Sequence, residues 1–186
     1  MATVPGAPRR LLCVAPLVPA GGVDTLLTAF GILAGDRPDL TVQVVGGGPL
    51  SRALRAHADH LGVADRVVFC GPMRAPAVRT AVRRCAVLVL PHRDHGAGAG
   101  PAADVALLEA RVTGCPVVAT RQAAPHLTSR VAGSLVPAGA PTALAQALEA
   151  TLGVPVRTDP GASAATASTP GGDRHLLRRA WNRVVR

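Results

Sequence analysis

The chain alternates short, continuously apolar runs with longer segments whose apolar residues recur at helical spacing. The apolar runs are predicted strands at residues 11–18, 40–45, 66–69, 87–90, 116–120 and 134–136. Strands without a polar face are buried on both sides, and helices between such strands are typical of a parallel sheet covered on both faces. The alternation therefore predicts an α/β fold. We expect one Rossmann-like domain with a doubly wound parallel sheet over residues 8–152, with its ligand at the carboxyl ends of the strands.

Helical spacing predicts the segments that connect these strands. They are residues 23–33, 50–61, 75–84, 104–112, 125–130 and 141–152. Asp104 stands where an N-cap residue is expected, and Pro141 stands in the first turn of the last of these helices. Glu109 lies among apolar residues of the helix over 104–112. A charge at such a position is costly unless it has a partner.

Composition narrows the classes of function. Hydrophobic residues make up 48% of the 186 residues and aromatic residues only 2%, so the core is expected to consist of Ala, Val and Leu. The formal net charge is +9, and all 20 positively charged residues in this count are arginines, because the chain has no lysine. A basic chain is a candidate for binding nucleic acid, but these arginines are scattered and few aromatic side chains are present to stack on bases. We therefore expect no nucleic acid partner.

The four cysteines and the apolar runs bear on the compartment. Cys13, Cys70, Cys85 and Cys115 form no C-x-x-C pair, and each lies in or beside an apolar run. They are interpreted as small buried apolar residues, which fits a reducing cytoplasm. The run over 11–18 is short and contains Pro16. The sequence therefore predicts no signal peptide and no transmembrane span, and a cytoplasmic location.

The last part of the chain changes in character. Residues 153–172 are rich in Pro, Gly, Ala, Ser and Thr and are predicted to be a flexible linker. Residues 173–186 are predicted to form a short basic amphipathic helix with Trp181 on its apolar stripe. This helix is interpreted as docking on another protein, on a membrane surface, or on its own domain. The first of these readings is favoured.

A glycine-rich turn follows the second predicted strand. Val45 is followed by Gly46, Gly47, Gly48 and Pro49, just before a predicted helix. Glycines allow backbone N–H groups to approach a phosphate, and a helix N-terminus favours an anion. The spacing matches neither a P-loop nor the dinucleotide fingerprint. The sequence leaves open whether this turn binds phosphate or only connects strand to helix.

Polar residues after the fourth predicted strand are candidates for a metal or acid–base site. His92, Asp94 and His95 are close together in sequence. Three neighbouring residues in one loop give poor tetrahedral geometry for a metal, and no further ligand is evident. A solvated loop is the favoured interpretation, and no metal is predicted.

Several segments, taken in order along the chain, resemble a known family. They are Gly22-Val-Asp-Thr-Leu-Leu-Thr-Ala-Phe30, Val45-Gly-Gly-Gly-Pro49, Leu61-Gly-Val-Ala-Asp-Arg-Val-Val-Phe-Cys-Gly71, Cys85-Ala-Val-Leu-Val-Leu-Pro-His92, Glu109-Ala110 with Gly114 and Pro116-Val-Val-Ala-Thr120, and Gly133-Ser-Leu-Val-Pro-Ala-Gly139. Together they resemble the C-terminal, donor-binding half of GT-B glycosyltransferases of the family 4 type (glycosyl transferases group 1).

The resemblance implies a site for a nucleotide-diphosphate sugar, which is a donor substrate, with no separate cofactor. It implies that Glu109 accepts hydrogen bonds from the ribose hydroxyls and that the amides of Gly46, Gly47 and Gly48 line the phosphate side. It also implies that main-chain groups near Met73 face the base and that those near Val105 face the phosphates.

The chain departs from the family at positions that carry charge. Pro16 and Gly21 stand where the family has the arginine and lysine that clasp the diphosphate, and Pro101 stands where it has a first glutamate. Arg74, Arg93 and Arg121 are candidate substitutes for the missing cations. Catalytic residues are not identified. The family's N-terminal acceptor-binding half has no counterpart in these residues.

Two classes of function follow. The first is a donor-binding glycosyltransferase domain that works with an acceptor half on a separate chain and is degenerate or incomplete alone. The second is a non-catalytic remnant that acts as a protein-interaction module through its C-terminal helix.

Overall fold

Six strands and five α-helices follow one another along the part of the chain that the structure, a computed structural model, describes: residues 9–93, 100–123 and 133–153. The strands are β1 (Arg9–Val14), β2 (Leu40–Val45), β3 (Val67–Gly71), β4 (Val87–Leu90), β5 (Val117–Thr120) and β6 (Gly133–Val136). The α-helices are α1 (Val23–Leu33), α2 (Ser51–His60), α3 (Ala75–Arg83), α4 (Gly100–Thr113) and α5 (Pro141–Gly153). Short 3₁₀ turns cover Pro19–Gly21 and Ala64–Arg66.

The strands form one parallel sheet in the order β3-β2-β1-β4-β5-β6. The chain winds outward from β1 to β3, then returns to the other side of β1 and winds outward again. This reversal puts a topological switch point between β1 and β4, where ligands of open α/β sheets bind. The predicted Rossmann-like, doubly wound fold is confirmed.

Apolar layers cover both faces of the sheet. Leu11 and Cys13 of β1 belong to the layer beneath α1, α2 and α5, whereas Leu12 and Val14 belong to the layer beneath α3 and α4. Successive strand residues point to opposite faces, so a central strand buried on both sides must be apolar at every position. This requirement explains the continuous apolar runs in the sequence.

Arg66 joins the end of α1 to the turn before β3. Its guanidinium donates to the carbonyl oxygens of Ala34 at 2.9 Å and Arg37 at 3.0 Å. It also lies over the Phe30 ring, 5.2 Å from the centroid. Because the last carbonyls of a helix have no partner within the helix, Arg66 acts as a cap for α1.

Two boundaries differ by four residues from the sequence prediction, and the others that the structure describes differ by at most two. The first strand ends at Val14 instead of continuing to residue 18, since the chain turns away at Pro16. The helix predicted from Asp104 begins at Gly100, so Asp104 is its fifth residue and not its N-cap. Alanine favours a helix and proline is tolerated in its first turn, so Pro101 and the alanines after it extend α4 toward its N-terminus.

Several predictions fall on residues that the structure does not describe. They concern the helix over 125–130, the residues Asp94 and His95, the linker beyond Gly153, and the helix over 173–186. Within the described ranges, no helix combines the length and the apolar character that crossing a membrane requires.

Candidate functional site

The glycine turn after β2 packs against the backbone that leaves β1. Ala15 N donates to Val45 O at 3.0 Å, Leu17 N donates to Gly47 O at 2.9 Å, and Leu50 N donates to Leu17 O at 3.0 Å. These bonds hold two loops side by side at the carboxyl edge of the sheet, next to the switch point. The turn therefore has a structural role of its own.

Only glycine fits at two positions of this turn. Gly46 and Gly48 have φ angles of 149° and 155°. A Cβ at Gly46 would lie 1.9 Å from Ala15 O, and one at Gly48 would lie 2.4 Å from Leu17 O. The Gly46 N–H donates to Gly71 O at 3.0 Å, while the N–H groups of Gly47 and Gly48 donate to no acceptor within the described ranges. These two amides are available to an anion.

The loop after β1 carries no cation at Pro16 or Gly21, the two positions where the resembled family has an arginine and a lysine. A Cβ at Gly21 would lie 2.0 Å from Pro16 O, so this backbone has no room for a side chain there. Pro16 itself is half-buried. The absence of the arginine and lysine is thus built into the path of the loop.

Arg93 brings a guanidinium to the first turn of α1 from the neighbouring strand β4. Its Nη2 lies 2.5 Å from Asp24 Oδ2 and donates to Thr25 Oγ1 at 2.7 Å. Its backbone N–H donates to Ala20 O at 2.8 Å, which fixes the start of the side chain against the 3₁₀ turn. Of the three candidate arginines, Arg93 is the one placed at the switch point.

Arg74 and Arg121 lie at the same edge but farther along the sheet. Arg74 is exposed and precedes α3, and Arg121 is exposed and follows β5. All three candidate cations therefore lie at the carboxyl edge, on loops that follow β3, β4 and β5.

Met73 and Val105 lie partly in the core. Both are half-buried and pack against the apolar layer beneath α3 and α4. Val105 is the sixth residue of α4, because this helix begins at Gly100. The amides without an intrahelical acceptor belong to the first four residues of a helix. The N–H groups of α4 without an intrahelical acceptor are therefore those of Gly100, Ala102 and Ala103, because Pro101 has no N–H, and the amide of Val105 lies within the helix.

Glu109 lies between α3 and α4, with only 7% of its surface exposed. Arg83 Nε donates to Glu109 Oε1 at 2.6 Å, and Arg79 Nε lies 4.0 Å from Oε2. Nine residues of α-helix separate Glu109 from Gly100, an axial distance of about 13 Å. The carboxylate thus has the partner that its apolar surroundings require.

The sequence alone does not indicate these two arginines as partners of Glu109. Arg79 and Arg83 are four residues apart on α3 and therefore share one face of that helix. The sequence contains this spacing, but it does not show that this face of α3 packs against Glu109 on α4. Whether Glu109 also binds ribose stays a prediction.

His92 stands at the carboxyl end of β4 and is buried, with 2% of its surface exposed. Its carbonyl accepts a hydrogen bond of 2.6 Å from Thr120 Oγ1, and the same hydroxyl accepts from Ala123 N at 3.2 Å. These bonds join the ends of β4 and β5. Asp94 and His95 lie outside the described residues. Within the described ranges, no three His, Cys, Asp or Glu side chains are grouped closely enough to hold a metal ion.

Comparison with known sequences gives matches along most of the chain. The sequence model of the family described as glycosyl transferases group 1 matches residues 8–153. A GDP-mannose-dependent α-(1-6)-phosphatidylinositol monomannoside mannosyltransferase of Mycolicibacterium smegmatis is 37% identical over 112 residues, which is 60% of this chain and 29% of that protein. A D-inositol 3-phosphate glycosyltransferase of Acidothermus cellulolyticus is 30% identical over 188 aligned positions, covering 94% of this chain and 38% of that protein. The chain thus spans about a third of the length of these relatives.

Solved structures show the same fold. The C-terminal domain of the group 1 glycosyl transferase LpcC of Francisella tularensis superimposes with a TM-score of 0.65 at 20% identity, covering 77% of this chain and 76% of that chain. The Anabaena protein HepE, solved with UDP and glucose, superimposes with a TM-score of 0.60 at 22% identity, covering 78% of this chain and 39% of that chain.

Proposed function

The chain belongs to the glycosyl transferases group 1 family, and on this premise we propose that residues 9–153 bind the nucleotide-diphosphate part of a sugar donor. The glycine turn after β2 carries this proposal. It lies at the carboxyl edge beside the switch point, and the N–H groups of Gly47 and Gly48 donate to no acceptor among the described residues. Backbone amides aimed out of such a turn suit a phosphate oxygen. Gly46 supports the turn by its bond to Gly71 O.

Arg93 is the cation that best fits the diphosphate. It lies at the first turn of α1, in the region where the family's own cations would extend from the loop after β1. Asp24 pairs with this guanidinium at 2.5 Å, so part of its charge is already balanced. A diphosphate would have to share Arg93 with this carboxylate. Arg74 and Arg121 remain more distant candidates on the neighbouring loops.

The nucleotide is proposed to be guanosine diphosphate. Relatives that are 34–37% identical carry names that include GDP-mannose dependence. Glu109 is proposed to accept hydrogen bonds from the ribose hydroxyls, which would share its carboxylate with Arg79 and Arg83. Main-chain groups near Met73 are proposed to face the base. The first turn of α4 is proposed to face the phosphates, in place of the amide of Val105.

The same chain is proposed to be degenerate or incomplete as a catalyst on its own. When the sugar departs, negative charge grows on the diphosphate, and preorganised cations stabilise it by roughly 3–4 kcal/mol each. Pro16 and Gly21 supply none, Pro101 replaces the family's first glutamate, and an acceptor-binding half would have to complete the site. A cytoplasmic location and a partner bound through the C-terminal helix also remain proposals.

Thermal unfolding with added nucleotides tests donor binding. GDP, GDP-mannose, UDP and UDP-glucose are each added to the purified chain at increasing concentration. A ligand at a hundred times its Kd adds about 2.7 kcal/mol of stability, so Tm should rise with GDP and GDP-mannose. Arg93→Gln should weaken this response. Arg111 is an exposed arginine at the far end of α4, and Arg111→Gln is the matched control. It should leave the rise in Tm with nucleotide unchanged.

The alternative, a non-catalytic remnant that binds a protein partner, is favoured by the lost charges at Pro16, Gly21 and Pro101. It gives a different result in the same experiment. No nucleotide would raise Tm, and Arg93→Gln and Arg111→Gln would behave alike. That outcome would contradict the donor-binding proposal.

A further inference from the structure

Two thiols lie side by side at the amino end of the sheet, away from the carboxyl edge that carries the candidate donor site. Cys85 comes just before β4 and Cys115 just before β5, and their Sγ atoms are 3.5 Å apart. Both are free cysteines. The sequence predicted four separate buried apolar residues, but the fold brings two of them into contact.

The strand register suits a covalent bond between them. β4 and β5 are adjacent and parallel, with Leu88 paired to Val117. Continuing this register back by two residues places Cys115 opposite Ala86, the neighbour of Cys85. With strands about 4.8 Å apart and a rise of about 3.3 Å per residue, the Cα atoms of the two cysteines are separated by about 6 Å. Disulfides span Cα distances of about 4.4–6.8 Å, and side-chain rotation can bring the sulfurs to bonding distance.

The surroundings of the pair favour reaction. The hydrogen bond between the two thiols lowers the pKa of Cys115. The same hydrogen bond, together with burial, raises the pKa of Cys85, so Cys115 ionises first. Thiolates are the attacking species in disulfide exchange. Cys115 is buried, with 8% of its surface exposed, and Cys85 is half-buried, while the adjoining residues Arg84 and Gly114 are exposed, so the pair lies just beneath the surface.

We propose that Cys85 and Cys115 form a reversible intrachain disulfide, with a low-molecular-weight disulfide such as oxidised glutathione as the oxidant. The Cys115 thiolate attacks one sulfur of this oxidant, forms a mixed disulfide and releases one thiolate. The Cys85 thiolate then attacks Cys115 Sγ, forms the protein disulfide and releases the second thiolate. The two protons given up by the protein thiols go to the two released thiolates. The oxidant is thus reduced to two thiols while the cysteine pair is oxidised.

The bond would close a covalent loop around the segment from β4 to the end of α4. This loop contains Arg93 and Glu109, two of the candidate donor-binding residues. The proposal rests on the cysteine geometry alone and is independent of whether the chain binds a nucleotide.

Peptide mapping tests the bond directly. The folded wild-type chain is equilibrated with defined ratios of reduced and oxidised glutathione, quenched in acid, alkylated and digested with trypsin. Trypsin cleaves this chain only after arginine, because the chain has no lysine. Cys85 and Cys115 therefore fall in separate peptides, residues 85–93 and 112–121, and Cys70 falls in residues 67–74. We expect the first two peptides to become linked in monomeric protein, and Cys70→Ser to leave this linkage intact. Cys85→Ser and Cys115→Ser should each abolish it.

Thermal unfolding of the same samples gives a second measurement. A disulfide that closes a loop of about 30 residues should raise Tm by about 5 °C or more in the oxidised protein. The proposal is wrong if glutathione modifies Cys70 while residues 85–93 and 112–121 stay unlinked. It is equally wrong if the two peptides become linked only in denaturant or only in covalent dimers. Both measurements use the wild-type chain, so neither depends on a variant that folds.

Discussion

At the scale of single residues, Glu109 has two candidate roles that its contacts allow to be separated. Its carboxylate receives Arg83 Nε at 2.6 Å, and the resemblance assigns it to ribose. Glu109→Gln should weaken GDP binding about 10- to 150-fold, since a lost hydrogen bond to a charged group costs about 1.5–3 kcal/mol. Isothermal titration calorimetry measures the affinity, and urea unfolding measures the fold.

Arg83→Gln is the matched control for Glu109. It removes the hydrogen-bonded partner of the buried carboxylate but no ribose contact, and it leaves only Arg79, 4.0 Å away. We therefore expect a loss of about 1–3 kcal/mol in urea unfolding and an unchanged affinity for GDP. If Glu109→Gln destabilises the chain and leaves GDP affinity unchanged, Glu109 is a structural charge only.

Gln43 is a buried amide in the middle of β2, with 2% of its surface exposed. Neither of its side-chain polar atoms has a hydrogen-bond partner among the described residues. A buried polar group without a partner costs about 1–3 kcal/mol, so Gln43→Met should raise the free energy of unfolding by about 1–2 kcal/mol in urea titrations. Gln146→Met, on the exposed face of α5, should change it little. Clear destabilisation by Gln43→Met would mean that the amide has a partner.

At the scale of the elements, the cap on α1 depends on one side chain from a distant turn. Arg66→Met removes two hydrogen bonds, to the carbonyls of Ala34 and Arg37. We expect a loss of about 1–3 kcal/mol in urea unfolding. Arg55→Met is the control: this arginine also stacks on a phenylalanine, at 4.7 Å from the Phe69 ring, but it is exposed and caps no helix. Equal effects of the two variants would show that the cap contributes nothing.

Arg37 ties the turn before β2 to helix α5. It forms two bonds of 3.1 Å with Asp39 and reaches Glu149 Oε1 at 3.1 Å. The hydrogen bond from Arg37 lowers the pKa of Asp39 below its ordinary value of 3.8. A carboxyl whose pKa is depressed by folding adds stability above its unfolded pKa and loses it as the pH falls through the folded value.

Asp39→Asn therefore has a pH-dependent effect. Compared with wild type, its Tm should be lower by a constant amount above about pH 5, and the difference should shrink below about pH 4. Thermal scans from neutral to acidic pH measure this. A difference that is the same at every pH would contradict the role given to the Asp39 charge.

The elements also show what a sequence can and cannot predict. The bounds of α1, β2 and β4 agree with the prediction because apolar residues fill each element and Gly22, Gly46 or Pro91 marks one of its ends. The predicted start of α4 at Asp104 was wrong because proline and alanine are compatible with both a loop and a first helical turn. The arginine partners of Glu109 and the contact of Cys85 with Cys115 arise from packing between elements, which no local pattern contains.

At the scale of the whole molecule, we expect residues 1–186 to bind a nucleotide no more tightly than micromolar and to transfer no sugar. Missing cations commonly cost a hundredfold or more in rate, and one domain alone does not position two reactants against each other. The measurement is nucleotide release from GDP-mannose and UDP-glucose with a range of acceptors. Robust turnover would overturn this expectation, and Arg74→Gln, Arg93→Gln and Arg121→Gln would then locate the responsible cation.

The central place of β1 also affects how the chain is made. β1 leaves the ribosome before the other strands of this sheet and can pair with β2, which in turn pairs with β3, but its other edge must wait for β4, because the partner of Leu11 there is Val87. At about 5–20 residues per second, that wait lasts about 4–15 s. During it, the nascent half-sheet exposes an unpaired apolar strand edge, which is a template for pairing with other chains. The order of the strands thus makes chaperone protection during translation more valuable to this chain than to one whose first strand lies at the rim of the sheet.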